Sequence, residues 1–247
     1  MSLAELKEEL DLYRRENNEK GVANVAFVIG DYYLRKGDHL ESLGFFKEAL
    51  DICRKYANRE GEAVAAMSLG QAYLRGGEVH NALELFQGTR KYYEEIEDDH
   101  GLANVCLNLG EVFRRLGNPQ EAIVHYEQAL EICRNHGDEV GIADLQVKAA
   151  LVLMEIGYEE RALDYFEQAL SFYDRSEVPD KQAFVLAGIG SIMSQKGEYE
   201  KALRFLQSSR DLYKRLGVHA SVQALEQEIQ AIEAAMQQDS LQDKEIS

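Results

Sequence analysis

The chain has 247 residues, with 44 acidic against 27 basic, and a net charge of -17 at neutral pH. A surface of that sign repels phosphate backbones and anionic headgroups, which argues against nucleic acid and membrane surfaces as partners. A hydrophobic fraction of 45% suffices for a buried core, and two prolines in the whole chain favour helices over a turn-rich β architecture.

The three cysteines, Cys53, Cys106 and Cys133, are odd in number and widely spaced, unlike a disulfide framework. They read as reduced, buried small hydrophobes, which suits a cytoplasmic setting. No apolar run approaches the roughly 18 residues that span a bilayer. The N-terminal MSLAELKEEL lacks the apolar centre of a secretory leader.

In chain order, residues 3–17 place Leu3, Leu6, Leu10 and Tyr13 at helical spacing. The segment LDLYRRENNEKG within this stretch resembles LDICRKYANREG from Leu50 and LEICRNHGDEVG from Leu130. It matches the second helix of a repeating unit and is read as an N-terminal capping helix. Five units of 40 residues follow, 21–60, 61–100, 101–140, 141–180 and the shorter 181–217. Each predicts two helices joined at a glycine: Gly37, Gly77, Gly117, Gly157 or Gly197. These are expected to be left-handed.

Within the first helices, Gly30, Gly70, Gly110 and Gly190 recur in one position, with Ala150 in the fourth unit. A mid-helix glycine costs roughly 1 kcal/mol, so its recurrence predicts close approach of a neighbouring helix. Second helices carry a small residue (Ser42, Ala82, Ala122, Ala162, Ala202) and, one turn later, a large one (Phe46, Phe86, Tyr126, Phe166, Leu206). That pairing builds an interlocking surface. Asn118-Pro119-Gln120-Glu121 carries the clearest helix-start signal. Residues 218–237 predict a C-terminal capping helix with Val222, Leu225, Ile229, Ile232 and Met236 inward. The polar stretch 238–247 is expected to be a disordered tail.

Leu69-Gly70, Tyr73, Gly77, Ala82 and Phe86, and again Leu109-Gly110, Phe113, Gly117, Ala122 and Tyr126, resemble the tetratricopeptide repeat (TPR). The usual period of about 34 is 40 here. The proline expected near the end of each unit is replaced by Arg54, Glu94, Arg134, Asp174 and Lys214. The chain is therefore similar to the long-repeat TPR class of kinesin light chains and the Leu-Gly-Asn adaptors. The Asn after Leu-Gly in those adaptors is Asp31, Gln71, Glu111, Leu151 and Ser191 here, so their ligand is not carried over.

The resemblance implies an all-α fold: a right-handed TPR α-solenoid of antiparallel helix pairs over 1–237, capped at both ends. It also implies that the first helices line a concave groove for a peptide or helix of a partner protein. Projected onto this chain, the groove takes Asn24, Phe27, Asp31 and Arg35 from the first unit and Met67, Gln71 and Arg75 from the second. The third adds Asn104, Leu107, Asn108, Glu111, Arg114 and Arg115, and the fourth Lys148, with Asp144, Val147, Leu151 and Glu155 in the same row. Phe184, Ser191, Ser194 and Gln195 continue the row in the fifth unit. The row carries five positive and four negative residues in a chain of net -17. Its Arg35, Arg75 and Arg115 column suits the carboxylates of an extended or helical peptide, or is solvated or paired with acids of the next repeat.

No other chemistry competes. The six histidines show no zinc spacing, and the run 94–99 reads as a solvated helix end. Tyr32-Tyr33 and Tyr92-Tyr93 read as repeat packing. The expectation is a protein-protein interaction scaffold, not an enzyme, with no cofactor and no metal. The alternatives are self-association as a homodimer through the terminal helices, or a peptide-sensing regulatory domain.

Overall fold

The computed structural model describes residues 1–246, with side chains described through Gln237. The described residues form twelve α-helices: α1 Leu3–Arg15, α2 Glu19–Lys36, α3 His39–Lys55, α4 Arg59–Arg75, α5 Val79–Glu95, α6 Asp99–Arg115, α7 Pro119–His136, α8 Glu139–Glu155, α9 Glu159–Arg175, α10 Pro179–Gln195, α11 Tyr199–Leu216 and α12 His219–Ile246. A helix thus begins every 20 residues from Glu19 onward, and each connection is two or three residues long. Such short connections fold each helix back antiparallel on the last.

The chain forms two compact units, 1–132 and 133–247. The division falls within α7. In the first unit, α1 to α5 pack each on the next and α5 packs on α6. In the second, α8 to α12 do the same. α12 lies on α11 and also meets α10, where the Ser191 hydroxyl donates to Glu228 Oε1 at 2.9 Å. The expected tail at 238–247 falls at the end of α12. The α12 backbone is helical through Ile246, and no glycine or proline interrupts the sequence from His219 onward. Side chains beyond Gln237, and Ser247 altogether, lie outside the described residues.

Two kinds of turn alternate. After each first helix, Gly37, Gly77, Gly117, Gly157 and Gly197 have φ of +75° to +87°, as the pattern predicted. After each second helix the chain also turns left-handed, at Asn17, Ala57, Glu97, Gly137, Glu177 and Gly217. Only two of these six are glycine. The first helices then start on a side-chain cap. Asn18, Asn58, Asp98 and Asp138 accept from the amides of Gly21, Gly61, Gly101 and Gly141 at 2.9–3.1 Å. α10 replaces this device with Pro179 at its start, a position that needs no donor.

The small-then-large pairs form the buried centre: Ser42, Ala82, Phe46, Phe86 and Phe166 are fully inaccessible. A Cβ added at Gly30 would lie 2.8 Å from the Phe46 ring, one at Gly70 2.6 Å from Phe86, and one at Gly190 2.7 Å from Leu206. The recurring mid-helix glycine therefore makes room for the large residue of its own hairpin. Ala150 fills that room in the fourth repeat. There, a Cβ at Gly188 on α10 would lie 2.8 Å from Phe166, so Phe166 packs against a glycine of the following helix instead. All three cysteines are free and buried, as expected.

His125 on α7 is 8% exposed and stacks on Phe113, ring centroids 5.1 Å apart. Its Nδ1 has no hydrogen-bond partner. Burial, and then the nearby Arg90, push its pKa below the ordinary value, opposed by Glu121 and by a bond to Gln128. A depressed folded-state pKa means that the unfolded chain takes up the proton first as pH falls. Stability is then lost below about pH 6.5, the unfolded value. Thermal midpoints measured between pH 7.5 and 5 are expected to fall less for His125→Phe than for the parent.

Candidate functional site

The predicted groove row divides between the two units. Thirteen of its 22 residues lie on α2, α4 and α6 in the first unit, and nine, Lys148 among them, lie on α8 and α10 in the second. α2 touches α4 and α4 touches α6, so the thirteen lie on three adjacent helices. Asn24 and Arg35 are exposed, whereas Phe27, Met67, Gln71 and Leu107 are half-buried. Phe27 packs its ring on Phe46 at 5.6 Å, and Asn108 Nδ2 donates to the Asn104 carbonyl at 2.7 Å, within its own helix.

The arginine column is largely engaged within the protein. Arg75 Nη1 donates to the Leu34 carbonyl and Arg115 Nη1 to the Leu74 carbonyl, both at 2.6 Å. Each arginine therefore satisfies a carbonyl at the C-terminal end of the preceding first helix, where a cation also favours the helix dipole. Arg35 pairs with Asp31 at 2.8 Å on its own helix and is 78% exposed. Glu111 accepts from Arg114 and Arg115 at 2.6–3.0 Å. Burial alone would raise its pKa, but these two guanidiniums outweigh it and hold the carboxyl below its usual value. Arg75→Ala and Arg115→Ala are each expected to lower stability by about 1 kcal/mol, from the lost charged hydrogen bond. Arg35→Ala should be neutral within about 0.5 kcal/mol. Urea denaturation of the three single variants checks the contrast.

In the second unit the same row opens into a pocket of about 470 Å³. Val147 and Leu151 of α8 and Phe184 of α10 supply its apolar lining, and Phe184 is 43% exposed. Tyr173 and Tyr213, from the ends of α9 and α11, also line it. The Tyr173 hydroxyl donates to Asp144 Oδ1 at 2.6 Å, and Lys181 Nζ donates to the same oxygen at 2.5 Å while lying 5.4 Å from the Tyr173 ring. Burial first, then the bond to Asp144, hold the Tyr173 phenol far above its ordinary pKa, so it remains a donor. Asp180 and Lys148 complete the lining.

Tyr173, Asp180, Lys181 and Tyr213 were absent from the predicted row. One signal marks them. The first four units begin with Gly21, Gly61, Gly101 and Gly141, against which Tyr13, Cys53, Tyr93 and Cys133 pack. The fifth begins with Lys181, and Tyr173, at the matching position, is bonded to Asp144.

Among the described residues, no group of three His, Cys, Asp or Glu is placed to hold a metal ion, and no helix is long and apolar enough to cross a membrane.

Stacked helix pairs with a repeating glycine, alanine and aromatic frame define a helical-repeat protein. The family model for the tetratricopeptide repeat matches residues 61–135 and 141–215, more than half of the chain, and the chain belongs to that family. No curated protein matches it significantly. Among solved structures it is similar to BtubC (BKLC) from P. vanneervenii, at 18% identity and a TM-score of 0.74, covering 87% of this chain and 91% of that one. It is similar to the nearly identical TPR-like repeats of a putative kinesin light chain from Podosopora anserina, at 16% identity and a TM-score of 0.67 over 78% and 95% of the two chains. A Rap protein complexed with competence and sporulation factor is also similar, at 13% identity and a TM-score of 0.63 over 93% and 70%. At these identities the likeness is one of fold.

Proposed function

We propose that this protein is a non-catalytic interaction module that holds a segment of a partner protein against the first helices of its repeats. The observation that carries the reading is the second-unit pocket. It lies on the row projected from the tetratricopeptide resemblance, and its apolar lining includes the exposed Phe184 beside the half-buried Val147 and Leu151. A volume of about 470 Å³ falls in the range of ligand pockets. The Rap protein of similar fold, which was solved with a bound factor, lends support to a binding role.

On the first unit, Asn24, Phe27, Met67, Gln71 and Leu107 offer a mixed apolar and amide surface. With Arg75 and Arg115 turned to the backbone, contact there rests on shape and amide hydrogen bonds more than on charge. The partner is a protein or peptide, and a cytoplasmic setting suits the three free thiols.

A photo-reactive residue placed at Gln71, at Phe184 or at the exposed Gly44 of α3 tests this in cell extract. Partner adducts are expected at Gln71 and Phe184 and not at Gly44, and the partner so identified should bind the purified chain saturably. Adducts confined to Gly44, or none at all, would reject the reading. Adducts that consist only of a second copy of this chain would replace it with self-association.

A further inference from the structure

The second-unit pocket has an electrical polarity that its apolar lining does not explain. Two of its four charges cancel. Asp144, four residues before Lys148 on α8, is the natural helical partner of that lysine. Its carboxylate is instead taken by Lys181 and by the Tyr173 hydroxyl. The residues three and four beyond Lys148 are Leu151 and Val152, which offer no acid. Lys148 is therefore a half-buried residue whose ammonium has no hydrogen-bond or ion-pair partner among the described residues. Asp180, at the opposite edge, has no such partner there either. It stands close enough to Tyr173 and Tyr213 for its charge to bear on both phenols.

The two free charges lie at different heights. Allowing for the 40-residue period, Asp180 corresponds to position 140, eight residues before Lys148 along the first helix. At 1.5 Å per residue that is an offset of about 12 Å along the helix axis. Val147, Leu151 and Phe184 belong to the same pocket and lie between these heights or one turn past them. Four residues of extended chain cover about 13 Å, and residues i, i+2 and i+4 then face one way.

We infer that this pocket takes an extended peptide segment in which a basic side chain, an apolar side chain and an acidic side chain alternate with outward-facing residues, the base meeting Asp180, the apolar group meeting Phe184 and Val147, and the acid meeting Lys148. The inference rests on the interaction-module reading above and gives one of its sites a sequence preference. An unpaired ammonium gains a counter-ion, and an exposed phenylalanine gains a cover. A peptide acidic throughout satisfies Lys148 and is repelled by Asp180, and a basic one does the reverse.

Four labelled peptides test it against the full chain by fluorescence anisotropy: Lys-x-Phe-x-Glu, Lys-x-Ala-x-Glu, Glu-x-Phe-x-Glu and Lys-x-Phe-x-Lys, with x alanine and capped ends. The first is expected to bind best, about tenfold tighter than the Ala peptide, the scale set by burying one aromatic side chain. It should also bind several-fold tighter than either single-sign peptide. With Lys148→Glu the preference is expected to pass to Lys-x-Phe-x-Lys, and with Asp180→Lys to Glu-x-Phe-x-Glu. Circular dichroism checks that both variants remain folded. Four equal affinities, no saturable binding, or an unchanged order in the variants would overturn the inference. If the cross-linked partner binds Lys148→Glu as it binds the parent, this subsite falls while the interaction module stands. If no cross-linked partner exists, the module itself falls.

Discussion

Phe86→Ala is expected to destabilise the first unit by about 3–5 kcal/mol, the range for emptying a fully buried aromatic site. Phe86 is completely inaccessible and faces Gly70 across its own hairpin. The opposite error, Gly70→Ala, should destabilise by less. A methyl placed 2.6 Å from a buried ring costs about 1–3 kcal/mol in overpacking, offset by about 1 kcal/mol of helix propensity. The fourth repeat suggests a repair. There Ala150 is tolerated because Phe166 packs against Gly188 on the following first helix. The position matching Gly188 one repeat beyond Phe86 is Asn108. Adding Asn108→Gly to Gly70→Ala should recover part of the loss, as a non-additive double-mutant cycle in chemical denaturation. Strict additivity would show that the two repeats solve the packing problem independently.

Replacing Ala57, Glu97 and Glu177 together by glycine is expected to stabilise the chain by about 2–3 kcal/mol. All three hold φ of +51° to +54°, where a side chain costs roughly 1–2 kcal/mol. Part of that gain is returned through the greater freedom of glycine in the unfolded chain. The same turn is made by Gly137 and Gly217 at matching positions, so the backbone already accepts glycine there. The sites are 40 or more residues apart, and their effects should add. Calorimetry on the single and triple variants reads the result. Unchanged midpoints would mean that each side chain makes a contact worth as much as its strain.

Most of the fold is legible in the chain because the same local problem is solved five times. The glycines at Gly37, Gly77, Gly117, Gly157 and Gly197 announce a left-handed turn, and the small-then-large pairs announce a hairpin interior. Repetition turned each weak preference into a strong one, so the helix order, the turns and the buried aromatics could all be named from one sequence. The equivalent turns at Ala57, Glu97 and Glu177 could not. There the conformation is imposed by packing of the flanking helices, against the preference of the residue itself.

The candidate site was proposed from the resemblance as positions and not as chemistry. The resemblance to the tetratricopeptide repeat pointed to the row on the first helices, and with it to Lys148, Val147, Leu151 and Phe184. What each charge does depends on what lies beside it on another helix, which a one-dimensional pattern does not contain. Arg75 and Arg115 look like a ligand-binding column in the sequence, and only the packed helices show them bonded to the carbonyls of Leu34 and Leu74. Lys148 looks like a lysine paired one turn back with Asp144 until the fold brings Tyr173 and Lys181 to that carboxylate. The sequence by itself determined the all-α repeat and its period, because these follow from local backbone preference and spacing; the face proposed to meet a partner is what the resemblance to the tetratricopeptide repeat implies. The tertiary structure alone decided which charges on that face are spent and which are free, because that is a matter of distances between helices far apart in the chain.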